Sequence, residues 1–272
     1  MALMINTNTA SLNAQNNLNT SQNALKTSLQ RLSSGLRVNS ARDDAAGLGI
    51  ATKMTAQSRG MTVASRNAND GISLAQTAEG GLAVMTTHLQ RMREIATQAS
   101  SGQYSSSDLS SLDQEFQALQ SEVARIATAT TFNGKQILGS DSTMSFQIGA
   151  GTSTDNQISV STVTGNMSAV VTGLAVSTTG GATGAMNSID TALDTVNQAR
   201  AGLGALQSRF DGVVTQLQTQ SENIQSATSR IMDTDYAAET ASLSRAQILQ
   251  QAGTAMLAQA NQLGSSVLSL LK

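Results

Sequence analysis

The sequence contains no cysteine, no proline and no tryptophan, and aromatic residues make up only 2% of its 272 positions. The absence of cysteine excludes a disulfide framework, zinc fingers and thiol catalysis. A single histidine, His88, excludes most histidine-based metal sites and catalytic triads. Because large aromatic side chains usually supply much of the buried area of a globular core, a chain with so few of them is expected to bury aliphatic residues along extended helical seams.

The charge and hydropathy of the chain exclude further classes of partner. A formal net charge of −2 and a pI near 5.4 do not give the basic excess of a nucleic-acid-binding protein. No apolar run approaches the length of a transmembrane helix, and the N-terminal MALMINTNTASLNAQNN has neither the basic region nor the long apolar core of a conventional secretory signal. On these grounds alone the chain would be assigned to the cytoplasm, with no nucleic-acid partner and no membrane partner.

The motifs of common enzyme chemistry are also missing. The metalloprotease HExxH, the phosphate-binding P-loop and the dinucleotide-binding GxGxxG do not occur. Asp43 and Asp44 are adjacent carboxylates, but neighbouring side chains on a helix point about 100° apart and would not face one substrate. We therefore predict no enzymatic activity, no catalytic residues, no cofactor and no metal site.

Apolar residues recur every seven positions over long stretches, as they do in a coiled-coil helix. The clearest run spans residues 189–231, and at 1.5 Å per residue it predicts a helix roughly 65 Å long. Its members are Ile189, Val196, Leu203, Phe210, Leu217, Ile224 and Ile231. Two shorter runs cover residues 82–99 and 112–126, and the linker SSGQYSSSD between them is expected to cap the second helix with Asp108 or a neighbouring serine.

Both ends of the chain carry a single apolar stripe in a background of alanine, glutamine, asparagine and serine. The predicted stripe residues are Leu18, Leu25, Leu32, Leu249, Met256, Leu263 and Leu270. Neither stripe has a local partner, and an isolated amphipathic helix is only marginally stable in water. Each terminal helix therefore needs the other terminus or another molecule, and we expect long antiparallel coiled-coil helices from the two chain ends.

The middle of the chain, residues 131–185, has a different composition. Asn133-Gly134 is a hairpin-turn signal, and the segments 144–148 and 157–163 alternate apolar and polar residues as half-buried strands do. Serine, threonine and glycine dominate the rest, which indicates one or two short hairpins and exposed loops. The fold class is predicted as mainly α: three helices, a small β-hairpin region, and two more helices.

The order of these segments and their motifs resembles bacterial flagellin, the subunit of the flagellar filament, over nearly the whole chain. At the N-terminal side the resemblance rests on INTNTASLNAQNNL, RLSSGLRVNSARDDAAGLGIA, NANDGISLAQTAEGGL, LQRMREIATQAS, TFNGKQIL and FQIGA. At the C-terminal side it rests on LGALQSRF, SENIQSATSRIMDTDYAAETASLSRAQIL and QQAGTAMLAQANQL. Only a Ser/Thr/Gly-rich stretch separates FQIGA from the helix at 189, so the chain resembles a short form that lacks the variable outer domains.

The resemblance implies a structural subunit that polymerises head-to-tail into the helical filament used for swimming. It implies an inner domain of residues 1–40 and 233–272 that becomes ordered on assembly, and a second domain of residues 41–232 that carries the β-hairpin and loop excursion at 131–185. Flagellins are exported unfolded by a type III apparatus without a cleavable signal peptide, so the resemblance moves the expected location to the extracellular flagellum. The implied partners are other copies of the chain, the export apparatus with its chaperone, and the filament cap and junction proteins.

The segment SSGLRVNSARDDAAGLGIA, Ser33–Ala51, interrupts the helical pattern with glycines and with charges of both signs. The resemblance places it at the joint between the inner domain and the next one. Glycine permits turns and close approach of helices there, and the charged side chains either contact adjacent subunits or stay solvated. The predicted joint residues are Gly35, Arg37, Arg42, Asp43, Asp44 and Gly47, with Gly49 as a third glycine.

The helix LQRMREIATQAS is, in several flagellins, the patch bound by the innate receptor Toll-like receptor 5. The matching positions are Gln90, Arg91, Glu94, Ile95 and Glu115, the last on the neighbouring helix. Arg91 would offer a two-pronged donor and Ile95 an apolar anchor, although Ile95 stands where a leucine is expected. The same surface would also pack subunits in a filament, so assembly is its primary predicted role.

Several alternatives stay open at this point. A hook–filament junction protein shares the terminal pattern, although LQRMREIATQAS speaks against it. A secreted enzyme on the same scaffold would need an inserted catalytic domain, for which there is no room, and a coiled-coil adaptor inside the cell would never be found in washed filaments. Residues 140–185 are equally compatible with O-glycosylation and with an unmodified loop. Gly264 is expected to break the last helix, where many relatives have a proline.

Overall fold

A computed structural model describes residues 7–139, 143–161 and 172–269, with side chains up to residue 262. In this part of the chain, three helices are followed by two short strand pairs and two further helices, which confirms the predicted fold class. The helices are α1 (Thr9–Ser34), α2 (Ala45–Ala99), α3 (Ser106–Ala129), α4 (Thr179–Met232) and α5 (Tyr236–Ser269). The strands are β1 (Thr131–Phe132), β2 (Lys135–Gln136), β3 (Thr143–Gln147) and β4 (Gln157–Ser161), and a 3₁₀ turn, Thr154–Asn156, precedes β4.

Helix α4 follows the predicted seven-residue pattern. The first five predicted positions, from Ile189 to Leu217, are buried, and the last two are half-buried. The helix begins at Thr179, so the end of the predicted excursion at 131–185 is helical and that boundary was wrong. Buried Ala182 and Ala185 extend the seam toward the N-terminus, and a hydrophobic pattern gives little weight to such small residues.

Helix α3 begins with the capping arrangement that the linker predicts. Ser105 is the N-cap: its hydroxyl accepts a hydrogen bond from the Asp108 backbone N–H at 3.3 Å. In return, the Asp108 carboxylate accepts from the Ser105 backbone N–H at 3.0 Å and from its hydroxyl at 2.6 Å. This reciprocal capping box satisfies two backbone donors that the first turn of a helix leaves unpaired.

Both strand pairs are antiparallel hairpins. In the first, Asn133 and Gly134 have φ angles of 49° and 77°, the left-handed backbone of a tight two-residue hairpin turn. In the second, β3 and β4 pair Phe146 with Ile158, and the buried side chains of Ile158 and Val160 lie on one face. The predicted strand 157–163 ends at 161, and residues 162 and 163 lie outside the described residues.

The β3–β4 hairpin packs on α2 and α4. The Phe146 ring meets the Phe210 ring edge to face, with centroids 5.7 Å apart and an interplanar angle of 80°. Asn67 of α2 donates its side-chain N–H to the Gln147 carbonyl at 2.9 Å. Phe210 in turn lies against Gly71, where a Cβ would come within 2.6 Å of the ring. Gly71 therefore makes the room in which the aromatic pair sits.

The last helix runs through Gly264 to Ser269, so the predicted break at Gly264 was wrong. A glycine inside a helix costs only about 1 kcal/mol relative to alanine, which does not by itself end a long helix.

The chain divides into two compact units, which we call the terminal unit (1–56 and 223–272) and the core unit (57–222). The core unit contains a continuous apolar core along α2, α3 and α4, with fully buried Leu82, Met85, Leu89, Phe116 and Phe210. Among the described residues of the terminal unit, the buried apolar side chains are only those of Val38, Ala51, Ala246 and Ala260. The terminal unit therefore consists of long helices without a large core of its own.

Candidate functional site

The terminal helices α1 and α5 pack antiparallel, as the sequence predicts. Near the start of α1, Asn8 donates its side-chain N–H to the Ala260 carbonyl at 2.9 Å, close to the end of α5. At the other end of the pair, Arg31 and Glu239 form an ion pair at 3.7 Å. Neutral polar contacts thus hold one end of the helix pair, and opposite charges hold the other.

Small residues line the contact between the two helices. Ser11 and Ser28 of α1 are buried there, and a Cβ added at Gly253 of α5 would lie 3.3 Å from the Leu18 Cδ1 atom. The predicted stripe residues of α1 are Leu18, Leu25 and Leu32, and all three are half-buried. The helices therefore approach closely but bury little apolar area between them.

The α5 part of the predicted stripe does not lie in this contact. Leu249 and Met256 are 51% and 63% exposed, and small residues such as Gly253 and Ala260 face α1 instead. Leu249 and Met256, two of the predicted residues of the terminal coiled coil, therefore lie outside the α1–α5 contact of the single chain. The heptad pattern identifies the most apolar positions of the helix, whereas this close contact uses its smallest residues. The Leu263 side chain and Leu270 lie outside the described residues. Other exposed apolar residues of the terminal unit are Leu12, Leu29, Ile50 and Ile248.

The joint begins where α1 ends. Gly35 has a φ of 72°, and its backbone N–H caps the helix by donating to the Arg31 carbonyl at 2.8 Å. Only glycine adopts this left-handed conformation without steric cost, which explains the first glycine of the segment. The Gly35 carbonyl then accepts from the Thr234 N–H at 3.0 Å, so the end of α1 is tied to the short turn between α4 and α5.

Arg37 strengthens this tie with both its backbone and its side chain. Its backbone N–H donates to the Met232 carbonyl at 2.6 Å, and its guanidinium Nη2 donates to the Ile231 carbonyl at 2.6 Å. Leu36 and Asp233 form an isolated antiparallel bridge beside it. Arg37 is therefore engaged within the subunit.

Asp43 and Asp44 lie in the turn before α2 and not on a helix, so the reason given above for their divergence was wrong. The Asp43 carboxylate accepts hydrogen bonds from the Ser40 hydroxyl and N–H, both at 2.9 Å, and these bonds lower the pKa of Asp43. The Asp44 carboxylate accepts from the Gly47 N–H at 2.7 Å, at the first turn of α2. Each carboxylate therefore organises the local backbone.

The remaining joint residues differ in whether other groups of the chain contact them. A Cβ at Gly47 would collide with the Asp44 carboxylate, which explains that glycine. Gly49 has no atom within 4 Å of the place where a Cβ would stand, so the expected close approach of helices does not occur there. Arg42 is exposed, and within the described part of the chain no ion pair or hydrogen bond engages its side chain.

The predicted receptor patch lies on α2 and α3 of the core unit. Arg91 donates through Nε to Glu115 at 2.9 Å and through Nη1 to Glu94 at 2.9 Å, and these two acidic partners raise the pKa of Arg91. Gln90 is exposed beside them. Ile95, in contrast, is only 1% exposed and belongs to the core, so it is not the surface anchor that the sequence predicts. α2 packs against both α3 and α4, which places this position inside.

Sequence reasoning missed two residues of the terminal unit that connect its two chain segments. Tyr236 donates its hydroxyl to the Leu32 carbonyl at 3.1 Å, although its ring is largely exposed. Glu239 pairs with Arg31, as described above.

Asp235, just before them in the chain, caps α5 by accepting a hydrogen bond from the Ala237 N–H at 2.9 Å. The acidic-aromatic run DTDYAAE was the available signal, since it combines a capping residue with the first turn of a helix.

The described residues contain no group of three or more His, Cys, Asp or Glu side chains placed to bind a metal ion. No described helix combines the length and the apolar character that a membrane span requires.

The chain matches two family profiles. Residues 5–143 match the family described as the bacterial flagellin N-terminal helical region, and residues 186–271 match the bacterial flagellin C-terminal helical region. A flagellin of Halalkalibacterium halodurans is 42% identical over 273 positions, which cover 99% of this chain and 100% of that protein.

A second relative, flagellin B of Vibrio cholerae, is 35% identical over 375 positions and covers 100% of both chains. That alignment is much longer than this chain, so the Vibrio protein contains many residues that have no counterpart here. The crystal structure of Bacillus cereus flagellin is similar with a TM-score of 0.50 and 27% identity, covering 60% of this chain and 94% of that one. Matches at both helical ends, together with a full-length alignment to a flagellin of equal size, show that this chain belongs to the bacterial flagellins, the structural family of flagellar filament subunits, in a short form.

Proposed function

We propose that the chain polymerises head-to-tail through its terminal unit into a helical filament, and that this filament is the extracellular propeller of a swimming bacterium. The observation that carries the proposal is the mismatch between the two units. The core unit contains a continuous buried apolar core, whereas the terminal unit pairs two long helices over serine, glycine and alanine and leaves larger apolar side chains exposed, among them Leu249 and Met256. The exposed apolar side chains of such a helix pair must be buried against another molecule.

A second copy of the chain is the most direct candidate to bury these side chains. Apolar burial contributes about 25 cal/mol per Å² removed from water, and this gain must offset the entropy lost when the helices are fixed. Head-to-tail contacts that do not close into a ring generate an open helical filament. The order of the terminal unit then depends on the concentration of subunits. In this proposal the inner domain, residues 1–40 and 233–272, becomes ordered on assembly, and residues 41–232 form the next layer.

The joint also has a role in this proposal. Arg37, Asp43 and Asp44 are engaged within the subunit, whereas Arg42 lies in an exposed turn and its guanidinium has no hydrogen-bond or ion-pair partner among the residues that the structure describes. We assign the inter-subunit contact of the joint to Arg42, with a carboxylate of a neighbouring copy as its partner, because a charge-assisted, two-pronged pair is the strongest contact a guanidinium makes.

The other partners follow from family membership and form part of the same proposal. An export apparatus and chaperone would deliver the chain, a cap protein and junction proteins would bound the filament, and Toll-like receptor 5 would bind the exposed residues of the predicted patch. Those residues are Gln90, Arg91, Glu94 and Glu115, without Ile95. Because Arg91 already pairs with two carboxylates, binding through it would first break those pairs.

Electron microscopy of the purified chain, mixed with short flagellar seeds and a precipitating salt, tests polymerisation. We expect long filaments from the full chain and none from a truncation that lacks residues 233–272. The variant Leu249→Asn removes one exposed apolar side chain and is expected to raise the critical concentration about tenfold, the equivalent of roughly 1.4 kcal/mol.

The matched control is Gln251→Asn, an exposed polar residue of the same helix, which should polymerise like the native chain. If the full chain stays monomeric even with seeds, self-polymerisation fails, and a hook–filament junction protein or an adaptor becomes the better explanation.

A further inference from the structure

We propose that Met256 is a site of reversible oxidation, and that its conversion to methionine sulfoxide by a peroxide prevents the chain from polymerising. The first observation is its exposure. Met256 is 63% exposed on α5, whereas Met61, Met85 and Met92 are buried. The other methionines that the structure describes are half-buried: Met54, Met144, Met186 and Met232. Within the described residues, Met256 therefore presents the most accessible thioether.

The composition of the chain directs a peroxide to methionine. Cysteine thiolates normally compete for two-electron oxidants, and this chain has no cysteine and no tryptophan. In the reaction the sulfur lone pair of Met256 attacks one oxygen of H₂O₂ and the O–O bond breaks. The second oxygen leaves as water after proton transfer. The sulfur is oxidised by two electrons and the peroxide is reduced by two, so H₂O₂ is the only co-reactant required.

The surroundings of Met256 make the product costly to cover. Residues 246–271 contain no charged side chain, and neither do residues 1–25. A sulfoxide at Met256 is strongly polar, and its oxygen accepts hydrogen bonds. Neither of these two segments contains a lysine or arginine that could donate one to it. Leu249 lies one heptad earlier and is exposed as well, so Met256 shares its flank of α5 with another exposed apolar side chain. When a neighbouring copy covers this flank, the sulfoxide oxygen loses its hydration, and only neutral donors such as the Gln259 amide remain to replace the lost water, so burial of the oxidised side chain is unfavourable.

The consequence for assembly rests on the proposed function, because the cost arises only when a neighbouring copy covers this flank of α5. Oxidation of the free subunit would then weaken polymerisation without unfolding the core unit, in which the methionines that the structure describes are buried or half-buried. Reduction of the sulfoxide would restore the native side chain, which makes the modification reversible.

The test treats the free full-length chain with dilute H₂O₂, maps oxidation by peptide mass spectrometry, and then measures the critical concentration for seeded polymerisation. We expect Met256 to be oxidised well before Met85 and Met92, and the critical concentration of the oxidised chain to rise about tenfold. The variant Met256→Leu keeps the volume and apolar character and should polymerise equally well before and after treatment.

Two further experiments test the inference even if the Met256→Leu substitution changes polymerisation by itself. Treating the oxidised native chain with methionine sulfoxide reductase and dithiothreitol should restore its critical concentration, and the chain has no disulfide for the thiol to disturb. Met256→Gln, a neutral polar replacement, should polymerise poorly without any oxidant.

Several results would overturn the inference. It fails if peroxide weakens polymerisation of Met256→Leu as much as that of the native chain, or if a chain oxidised at Met256 polymerises normally. Oxidation of the buried methionines at the same rate as Met256 would also contradict it. If instead the untreated chain never polymerises, the proposed function fails, and the mass spectrum still decides whether Met256 is the preferred site.

Discussion

Individual glycines of α2 have opposite physical roles, although they look alike in the sequence. Gly71 faces the Phe210 ring, and a Cβ there would come within 2.6 Å of a ring carbon. Gly80 is exposed, and no atom lies within 4 Å of the place where its Cβ would stand. One glycine is therefore required by packing, and the other only lowers the stability of its helix.

Gly71→Ala is expected to destabilise the core unit by about 1–3 kcal/mol, because it overpacks the contact with Phe210 and disturbs the Phe146 pair. Gly80→Ala, nine residues further along the same helix, should stabilise it by up to about 1 kcal/mol. Chemical denaturation of the two variants beside the native chain measures both effects. A Gly71→Ala chain as stable as the native one would show that the aromatic pair can shift at little cost.

At the scale of an element, the N-terminus of α3 couples stability to pH. The hydrogen bonds from the Ser105 hydroxyl, and then from its backbone N–H, lower the pKa of Asp108 below its ordinary value. A carboxyl whose pKa is lower in the folded state stabilises the fold at pH values above its unfolded pKa, and that contribution is lost as the pH falls through the folded pKa.

We therefore expect Asp108→Asn to lower the melting temperature of the core unit at neutral pH, and the difference from the native chain to shrink toward zero in acid. Ser105→Ala, which removes the largest cause of the pKa shift, should also raise the Asp108 pKa toward its ordinary value in an NMR titration. Thermal unfolding followed by circular dichroism between neutral pH and about pH 2 checks the first expectation. A difference that stays constant over this range would mean that Asp108 stabilises α3 by packing and not by its charge.

For the whole molecule, the contrast between the two units predicts two levels of backbone protection in the free chain. Amides of the core unit, such as those of residues 82–99, lie in helices packed around fully buried side chains. Amides of residues 9–34 and 236–262 lie in two helices held by small residues and a few polar contacts. Segments with few buried apolar contacts open at low free energy, so they exchange amide hydrogens quickly.

Hydrogen exchange with mass spectrometry should therefore show fast exchange in the terminal helices of the free chain and slow exchange at residues 82–99. After polymerisation the terminal helices should become protected, while the core unit changes little. Equal protection of both units in the free chain would contradict the idea that the terminal unit depends on its neighbours.

The local pattern of the sequence was sufficient for much of the architecture. The heptad positions of α4, the capping residues of α3 and the Asn133-Gly134 turn are each specified by residues close together in the chain. Such signals report which face of an element is apolar and where the element begins, because both properties depend on side-chain spacing and on backbone donors within one or two turns.

The sequence by itself thus determined the order and type of the elements, and its motifs carried the resemblance to flagellin. Only the tertiary structure decided which residues meet. It placed Ile95 in the core and turned Leu249 and Met256 away from α1, with Gly253 and Ala260 in the contact. The physical reason is that two helices pack through the faces on which they can approach most closely. The distance of closest approach depends on small residues of both helices, and these residues lie far apart in the chain.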